Sequence, residues 1–172
     1  LLSKKERSNL KFGDYIHKYF YDKSIADGYT LRIKKEQIDT TAKSEIRENL
    51  EIEDKNLESA DVYESNDYIQ GVSKYIEKDF RQFRLVNTDN SIGGMIVCRS
   101  NPQAKKIHEW FKANSKLTTG LVMSDSENTA EQSELNKQNQ INFRENGFPD
   151  ILVVHYMLTT GYDVKRLKKM YL

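Results

Sequence analysis

The sequence has a single cysteine, Cys98, and three histidines that lie far apart, His17, His108 and His155. One cysteine excludes a disulfide within the chain. The histidine spacing matches no structural zinc site. We therefore expect a reduced, cytoplasmic chain with no metal site of its own.

The sequence also has no large excess of positive or negative side chains and no long apolar run. The 27 basic and 26 acidic side chains nearly cancel, so any contact with nucleic acid must be local and not the result of a general positive field. No apolar run approaches the roughly 20 residues of a membrane span. The opening residues LLSKKERSNL lack the apolar core of a signal peptide. We expect no contact with a membrane.

The 172 residues suffice for one domain with a hydrophobic core. Residues 12–30 are rich in aromatic side chains and predict a strand and then a short helix that ends at Gly28. Residues 31–38 predict a further strand, and the acidic residues 41–67 predict helical segments on a solvated surface. The closing residues KKMYL have the pattern of a strand that is just beginning, and we expect the chain to be a fragment of a longer protein.

Apolar residues recur at steps of three and four over residues 68–86 and predict an amphipathic helix. Short apolar runs follow at 92–98, 117–123 and 150–154, and segments of helical pattern separate them. Strands and helices that alternate in this way predict an α/β domain, in which helices cover both faces of a mainly parallel sheet. Ligands of such sheets bind at the carboxyl ends of the strands. The loops to examine are therefore residues 99–102, 124–126 and 155–163.

In the first loop, a strand end leads into the amino end of a helix. Free backbone N–H groups and the positive end of the helix dipole can bind a phosphate there. Arg99 can add a charge-assisted hydrogen bond, and Ser100 and Asn101 can add neutral ones without reading a base. The alternative is an ordinary helix that Ser100 or Asn101 caps, with Pro102 in its first turn. Spacing alone favours this alternative.

In the third loop, Thr160 and Gly161 offer a hydroxyl and an unobstructed backbone N–H to a phosphate oxygen. Asp163 is an acceptor of the kind that binds ribose hydroxyls. The alternative is a turn with an aspartate helix cap, and spacing alone again favours it. We interpret His155 and Tyr156 as packing residues. The basic side chains that follow are typical of a solvated face: Lys165, Arg166, Lys168 and Lys169.

Three segments taken together resemble the second RecA-like domain of superfamily 2 helicases and translocases: GGMIVCRSNPQAKKIHEWF, LTTGLVMSD and FPDILVVHYMLTTGYDVKRLKKMYL. The first resembles helicase motif IV, and VVHYMLTTGYD resembles motif V. MLTTGYDVKRLKKMYL, preceded by PDILVV, is similar to the motor (R) subunit of type I restriction enzymes. FGDYIHKYFYDKSIADGYTLRI resembles the segment of that subunit which leaves motor domain 1 and enters motor domain 2.

The resemblance implies a three-layer RecA-like domain at residues 31–172, truncated at its carboxyl end, with a helical insertion at about 41–67. Residues 1–30 would connect it to motor domain 1. The implied parent is an ATP- and Mg²⁺-dependent translocase of double-stranded DNA within a type I restriction endonuclease. Its partners would be motor domain 1 and the endonuclease domain of the same chain, and separate modification and specificity subunits.

By position, the resemblance assigns Gly161 and Asp163 to the nucleotide. It assigns five residues to the DNA backbone: Arg99, Ser100, Asn101, Ser124 and Thr160. No residue receives a catalytic role. His155 and Tyr156 depart from the pattern, because many family members have threonine and aspartate at these positions.

The sequence contains no G-x-x-x-x-G-K-[ST] phosphate loop and no paired Asp-Glu metal motif. The resemblance assigns both to motor domain 1. The chain also ends before motif VI, which would supply the arginine that stabilises charge on the transferred phosphate. We therefore expect this chain alone to hydrolyse no ATP and to hold no nucleotide or metal.

Three other functions remain open. The first is the same domain of another superfamily 2 DNA helicase. The second is a metal-dependent nuclease, since Pro149-Asp150 and Asp163-Val164-Lys165 match its P-D…D-x-K pattern. A five-residue strand that begins at Asp150 would, however, place the start of the loop carrying Asp163 roughly 16 Å away. The third is a non-catalytic interaction domain that binds through its acidic segment.

Overall fold

The structure is a computed structural model, in which the described residues are 18–30, 32–36, 63–123, 129–155, 157–158 and 162–172. The chain divides into two compact units, Leu1–Gln37 and Ile38–Leu172. Among the described residues, no helix has both the length and the apolar character that crossing a bilayer requires. The strand predicted before the first helix and the helical segments predicted within 41–62 lie outside the described residues.

Among its described residues, the first unit has one short helix, α1 (Tyr21–Ala26). Gly28 follows it with φ +78°, as the sequence predicted. The strand predicted over 31–38 is wrong for the described residues 32–36, which form neither strand nor helix. A strand needs a neighbour that pairs with its backbone groups. The N–H of Ile33 is instead donated to the hydroxyl of Tyr21, at 3.3 Å.

The second unit alternates helices and strands in the order predicted. One π-helical turn, Asn142–Asn146, continues α4 and ends at Gly147, which has φ +77°. The elements are α2 (Asn66–Val86), β1 (Gly93–Cys98), α3 (Asn101–Asn114), β2 (Thr119–Val122), α4 (Ala130–Ile141), β3 (Ile151–His155) and β4 (Leu167–Tyr171).

The four strands form one parallel sheet in the order β2-β3-β1-β4. From β1 the chain passes β3 and reaches β2 through α3, and it then returns to β3 through α4 and the π-helical turn. When two successive right-handed connections run in opposite directions along a parallel sheet, they must lie on opposite faces of it. The two connections accordingly cover opposite faces, which confirms the predicted α/β class with a parallel sheet between helices.

Alternate residues of the central strands feed two separate hydrophobic cores. The first core lies under α2 and α3, and its members are Ile69, Ile76, Phe80, Ile92, Ile96, Cys98, Ala104, Ile107, Phe111, Ile151 and Val153. The second core lies under the π-helical turn and the segment before β4, and its members are Met95, Val122, Phe143, Leu152, Val154 and Val164. Burial on both faces explains why the strands read as continuous apolar runs.

A pair of glycines at the start of β1 lets an aromatic ring approach the strand on each face. A Cβ atom on Gly93 would lie 2.7 Å from Cε2 of Phe143, and one on Gly94 would lie 2.9 Å from Cε2 of Phe80. Real side chains do not tolerate such contacts. The two glycines therefore permit Phe143 and Phe80 to pack directly on the backbone of β1.

The outer edge of β2 is covered by asparagine side chains of α4. Asn136 is buried, and its amide group accepts from the N–H of Met123 (3.2 Å) and donates to the carbonyl of Met123 (2.9 Å). Asn139 donates to the carbonyl of Leu121 at 2.9 Å. Backbone groups that a further strand would otherwise use are thus satisfied by side chains.

An ion pair between a buried arginine and a partly buried aspartate lies below the amino ends of the strands. The guanidinium group of Arg84, the last buried residue of α2, contacts Asp150 Oδ1 at 2.7 Å and donates through Nε to the carbonyl of Ile92 at 2.8 Å. The other carboxylate oxygen of Asp150 accepts from the N–H (2.7 Å) and the hydroxyl (2.8 Å) of Thr118. Asp150 therefore ties α2 to the residues that lead into β2 and β3.

Candidate functional site

A crevice is expected where the chain leaves two neighbouring parallel strands toward opposite faces of a sheet. Strands β1 and β3 meet this condition. Their last residues, Cys98 and His155, are paired in register. The chain leaves β1 into α3 on the first core, and beyond β3 the residues Tyr162 and Val164 pack on the second core. The ends of β1 and β3 therefore form the topological switch point of the sheet.

The loop after β1 forms a tight cap on α3. Ser100 is the N-cap residue, and its hydroxyl accepts from the N–H of Gln103 at 3.2 Å. The buried side chain of Gln103 in turn accepts from the N–H of Arg99 at 2.7 Å. The structure thus selects Ser100 over Asn101 as the cap. Gln103 is not among the predicted site residues, although S-x-x-Q is the spacing of a capping box.

The side chains of Arg99 and Ser100 already have partners within the chain. The guanidinium carbon of Arg99 lies 4.1 Å from the ring centroid of Tyr63. The hydroxyl of Ser100 donates to the carboxylate of Glu64. The ammonium group of Lys106, one turn into α3, donates to the backbone carbonyl of the same glutamate. Two of the residues predicted to bind phosphate therefore contact the short segment that precedes α2.

Asn101 connects the two strand ends of the switch point. Its side-chain oxygen lies 2.9 Å from Nδ1 of His155, the last residue of β3. An amide oxygen only accepts hydrogen bonds, so His155 donates from Nδ1. The interpretation of His155 as a packing residue is therefore incomplete, because this half-buried side chain links the loop after β1 to the loop after β3.

The remaining predicted site residues follow β2 and β3. Asp163 is exposed. The preceding residue, Tyr162, donates its hydroxyl to the carbonyl of Gln140 at 3.0 Å and so attaches this part of the loop to α4. Ser124, Thr160 and Gly161 lie outside the described residues. The structure thus brings Arg99, Ser100 and Asn101 together with His155 at the ends of β1 and β3, whereas the neighbours of Asp163 attach it to α4 and the second core.

The basic cluster after Asp163 does not form one solvated face. Arg166 turns inward, where it donates to the carbonyls of Ser91 (2.9 Å) and Pro149 (2.9 Å). Burial lowers the pKa of Arg166. Lys169 pairs with Asp79 of α2 at 3.2 Å. The sequence prediction is therefore wrong for these two residues, whereas Lys165 and Lys168 are exposed as expected.

The surroundings of Asp150 do not fit the nuclease pattern. Asp150 precedes β3 at the amino ends of the strands, and Arg84 and Thr118 occupy both of its carboxylate oxygens. Asp163 follows β3. Within the described ranges, no three histidine, cysteine, aspartate or glutamate side chains are grouped as a metal site would require. Because Arg84 and Thr118 already bind both carboxylate oxygens of Asp150, the described residues do not support a metal site shared by the two carboxylates of the pattern.

No protein-family model and no curated protein matches the chain. Among solved structures, it is similar to one described as the Sulfolobus solfataricus SWI2/SNF2 ATPase C-terminal domain. The two sequences are 10% identical, the TM-score is 0.31, and the likeness covers 67% of this chain and 56% of that chain. The chain thus spans little more than half the length of that neighbour.

Proposed function

We propose that this chain is the second RecA-like domain of a superfamily 2 DNA translocase motor and that it contacts the DNA backbone from the carboxyl ends of its strands. The observation that carries the proposal is the link between Asn101 and His155 at the switch point. It joins the loop that resembles motif IV to the strand that resembles motif V. In parallel sheets, ligands bind at such a point.

The chemistry of the loop after β1 suits phosphates better than bases. Arg99 offers a planar set of donors that matches two phosphate oxygens. The hydroxyl of Ser100 and the amide of Asn101 can donate to further oxygens, and the first turn of α3 contributes backbone N–H groups. Contacts of this kind fix the position of DNA and carry no sequence information. With Ser124 and Thr160, these residues form the proposed DNA-backbone surface.

The proposed nucleotide contacts are made by Gly161 and Asp163. Asp163 is exposed, as a carboxylate that accepts from ribose hydroxyls must be. One carboxylate with neighbouring hydroxyl and amide groups fits the sugar and phosphates of ATP. Mg²⁺ binds through carboxylates and substrate phosphates together, and the resemblance assigns the paired Asp-Glu metal motif to motor domain 1. The parent enzyme would therefore hold Mg²⁺ mainly through motor domain 1, and this chain alone would hydrolyse no ATP.

More narrowly, we propose that the parent chain is the R subunit of a type I restriction endonuclease. This rests on the run MLTTGYDVKRLKKMYL after PDILVV. The parent would translocate double-stranded DNA and assemble with modification and specificity subunits. The alternative is another superfamily 2 DNA helicase, which would use the same residues. Binding of the full parent chain to a purified modification–specificity complex separates the two, because only the R subunit would bind it.

The DNA contact is tested by fluorescence anisotropy with a labelled 20-base-pair duplex at low and at moderate salt. Arg99→Ala should weaken binding equally for unrelated duplex sequences and should reduce the salt slope by about one unit, as expected for one phosphate contact. Arg81→Ala is the matched control, because it removes the same charge from the exposed surface of α2. The proposal is contradicted if both variants weaken binding to the same extent.

A further inference from the structure

The two residues before the N-cap of α2, Tyr63 and Glu64, cover the loop that we propose binds DNA. Tyr63 lies under the guanidinium group of Arg99, with 4.1 Å between the guanidinium carbon and the ring centroid. Glu64 receives the hydroxyl of Ser100 on its carboxylate and the ammonium group of Lys106 on its carbonyl. The dipeptide Tyr63–Glu64 thus contacts both basic side chains that flank the amino end of α3.

The Glu64 contact uses chemistry that a DNA phosphate would also supply, and the Tyr63 contact holds Arg99 in place. A carboxylate on the hydroxyl of Ser100 takes the place of a phosphate oxygen, since both are anionic acceptors of a charge-assisted hydrogen bond. The ring of Tyr63 lies on a face of the Arg99 guanidinium and does not itself take the in-plane N–H donors, but it holds the Arg99 side chain against the segment before α2. The positive end of the α3 dipole also attracts the Glu64 carboxylate. A phosphate and Glu64 therefore compete for the same donors.

The dipeptide is held close to this loop by the helix that follows it. Ser65 caps α2 by accepting from the N–H of Tyr68 at 3.3 Å, and the first buried residue of α2, Ile69, belongs to the core shared with α3. The rings of Tyr63 and Tyr68 meet edge to face, with 5.1 Å between their centroids. A segment tethered in this way has a high effective concentration at Arg99 and Ser100.

We propose that Tyr63–Glu64 is an autoinhibitory contact that must leave Arg99 and Ser100 before DNA phosphate binds there. The inference rests on the proposed DNA contact and adds its regulation. The apparent dissociation constant of DNA equals the intrinsic one divided by the fraction of molecules in which the loop is uncovered. Anything that moves the dipeptide therefore tightens DNA binding without a new contact to DNA.

Three variants test the contact in the same anisotropy assay. Glu64→Ala removes the competing carboxylate and should lower the apparent dissociation constant by about tenfold, the factor expected for loss of one charge-assisted hydrogen bond from the covered state. Asp67→Ala is the matched control, because it removes the same charge three residues away from an exposed position. Tyr63→Ala releases Arg99 without any change in net charge and should tighten binding as well.

The outcomes separate the two proposals. Binding that tightens with Glu64→Ala and Tyr63→Ala, and much less with Asp67→Ala, supports the autoinhibitory contact. Equal tightening by Glu64→Ala and Asp67→Ala, with no effect of Tyr63→Ala, shows a general charge effect and overturns the contact alone. Weaker binding by Tyr63→Ala also overturns it. If Arg99→Ala added to Glu64→Ala leaves binding unchanged, or if no variant binds DNA, the DNA contact and its regulation both fail.

Discussion

Replacing Arg84 with methionine should destabilise the second unit far more than the same replacement three residues earlier in α2. The Arg84 side chain is 9% exposed, pairs with Asp150 at 2.7 Å and donates to the carbonyl of Ile92. Methionine keeps most of the packing volume, so the change removes the charge and its hydrogen bonds. Two groups each lose a partner, the partly buried carboxylate of Asp150 and the buried carbonyl of Ile92.

The expected loss in the free energy of unfolding depends on which hydrogen bonds remain after Arg84 is removed. Breaking a buried ion pair by removing one member costs about 3 to 5 kcal/mol in the free energy of unfolding. Asp150 retains its two hydrogen bonds from Thr118, and its side chain is 21% exposed. We therefore expect a loss of about 3 kcal/mol, at the lower end of that range. Domains of this size are stable by about 5 to 15 kcal/mol, so the loss is easily measured.

Urea unfolding at pH 7, followed by far-ultraviolet circular dichroism and by the fluorescence of the single tryptophan, Trp110, gives the free energy of each variant. Arg81→Met is the control. Arg81 pairs with Glu77 at 3.0 Å, but its side chain is 61% exposed. Its loss should cost no more than about 0.5 kcal/mol. Equal costs for the two methionine variants would refute the structural role of the Arg84–Asp150 pair.

The difference between wild type and Arg84→Met should also depend on pH. Burial raises the pKa of Asp150, but the hydrogen bonds from Thr118 and the Arg84 guanidinium outweigh burial and hold the pKa below its ordinary value. A depressed folded pKa stabilises the protein above the unfolded pKa of about 3.9, and this contribution is lost as the pH falls through the folded pKa. The cost of Arg84→Met should therefore shrink below about pH 4.

Two further predictions concern β1. Gly93→Ala should lower the free energy of unfolding by about 1 to 3 kcal/mol, because the added Cβ overlaps the ring of Phe143. In a Phe143→Leu background the same change should cost less in urea unfolding. An equal cost in both backgrounds would contradict the assigned contact. Cys98 is buried, and burial raises the pKa of its thiol to about 12. Ellman's reagent at pH 8 should therefore label it only when urea unfolds the chain, and rapid labelling in native buffer would show that the end of β1 is open.

The sequence carried the fold of the second unit because its signals are local. The three- and four-residue steps of α2 and the apolar runs of β1 and β3 each reflect burial within one element. The strand predicted over residues 31–38 was wrong for residues 32–36 for the same reason, because a local strand-like pattern does not show whether a partner strand exists. Strand order is not a local property, and the position of β1 between β3 and β4 came only from the structure.

The candidate site was predictable in its position and not in its contacts. Parallel strands place their ends on one rim, so the sequence placed Arg99, Ser100 and Asn101 at the end of β1 correctly. The contact between Glu64 and Ser100 spans 36 residues, and the contact between Asn101 and His155 spans 54. Neither spacing has a sequence signature. The roles predicted for Ser124, Thr160 and Gly161 stay predictions.

The asparagines of α4 make the two edges of the sheet unequal as sites for a further strand. Asn136 and Asn139 bind the N–H and carbonyl of Met123 and the carbonyl of Leu121, so an incoming strand would find these three groups already occupied. At the opposite margin, β4 has only β1 beside it among the strands that the structure describes. A fusion designed to extend this sheet should therefore be attached beside β4, where it would not have to displace the asparagine side chains.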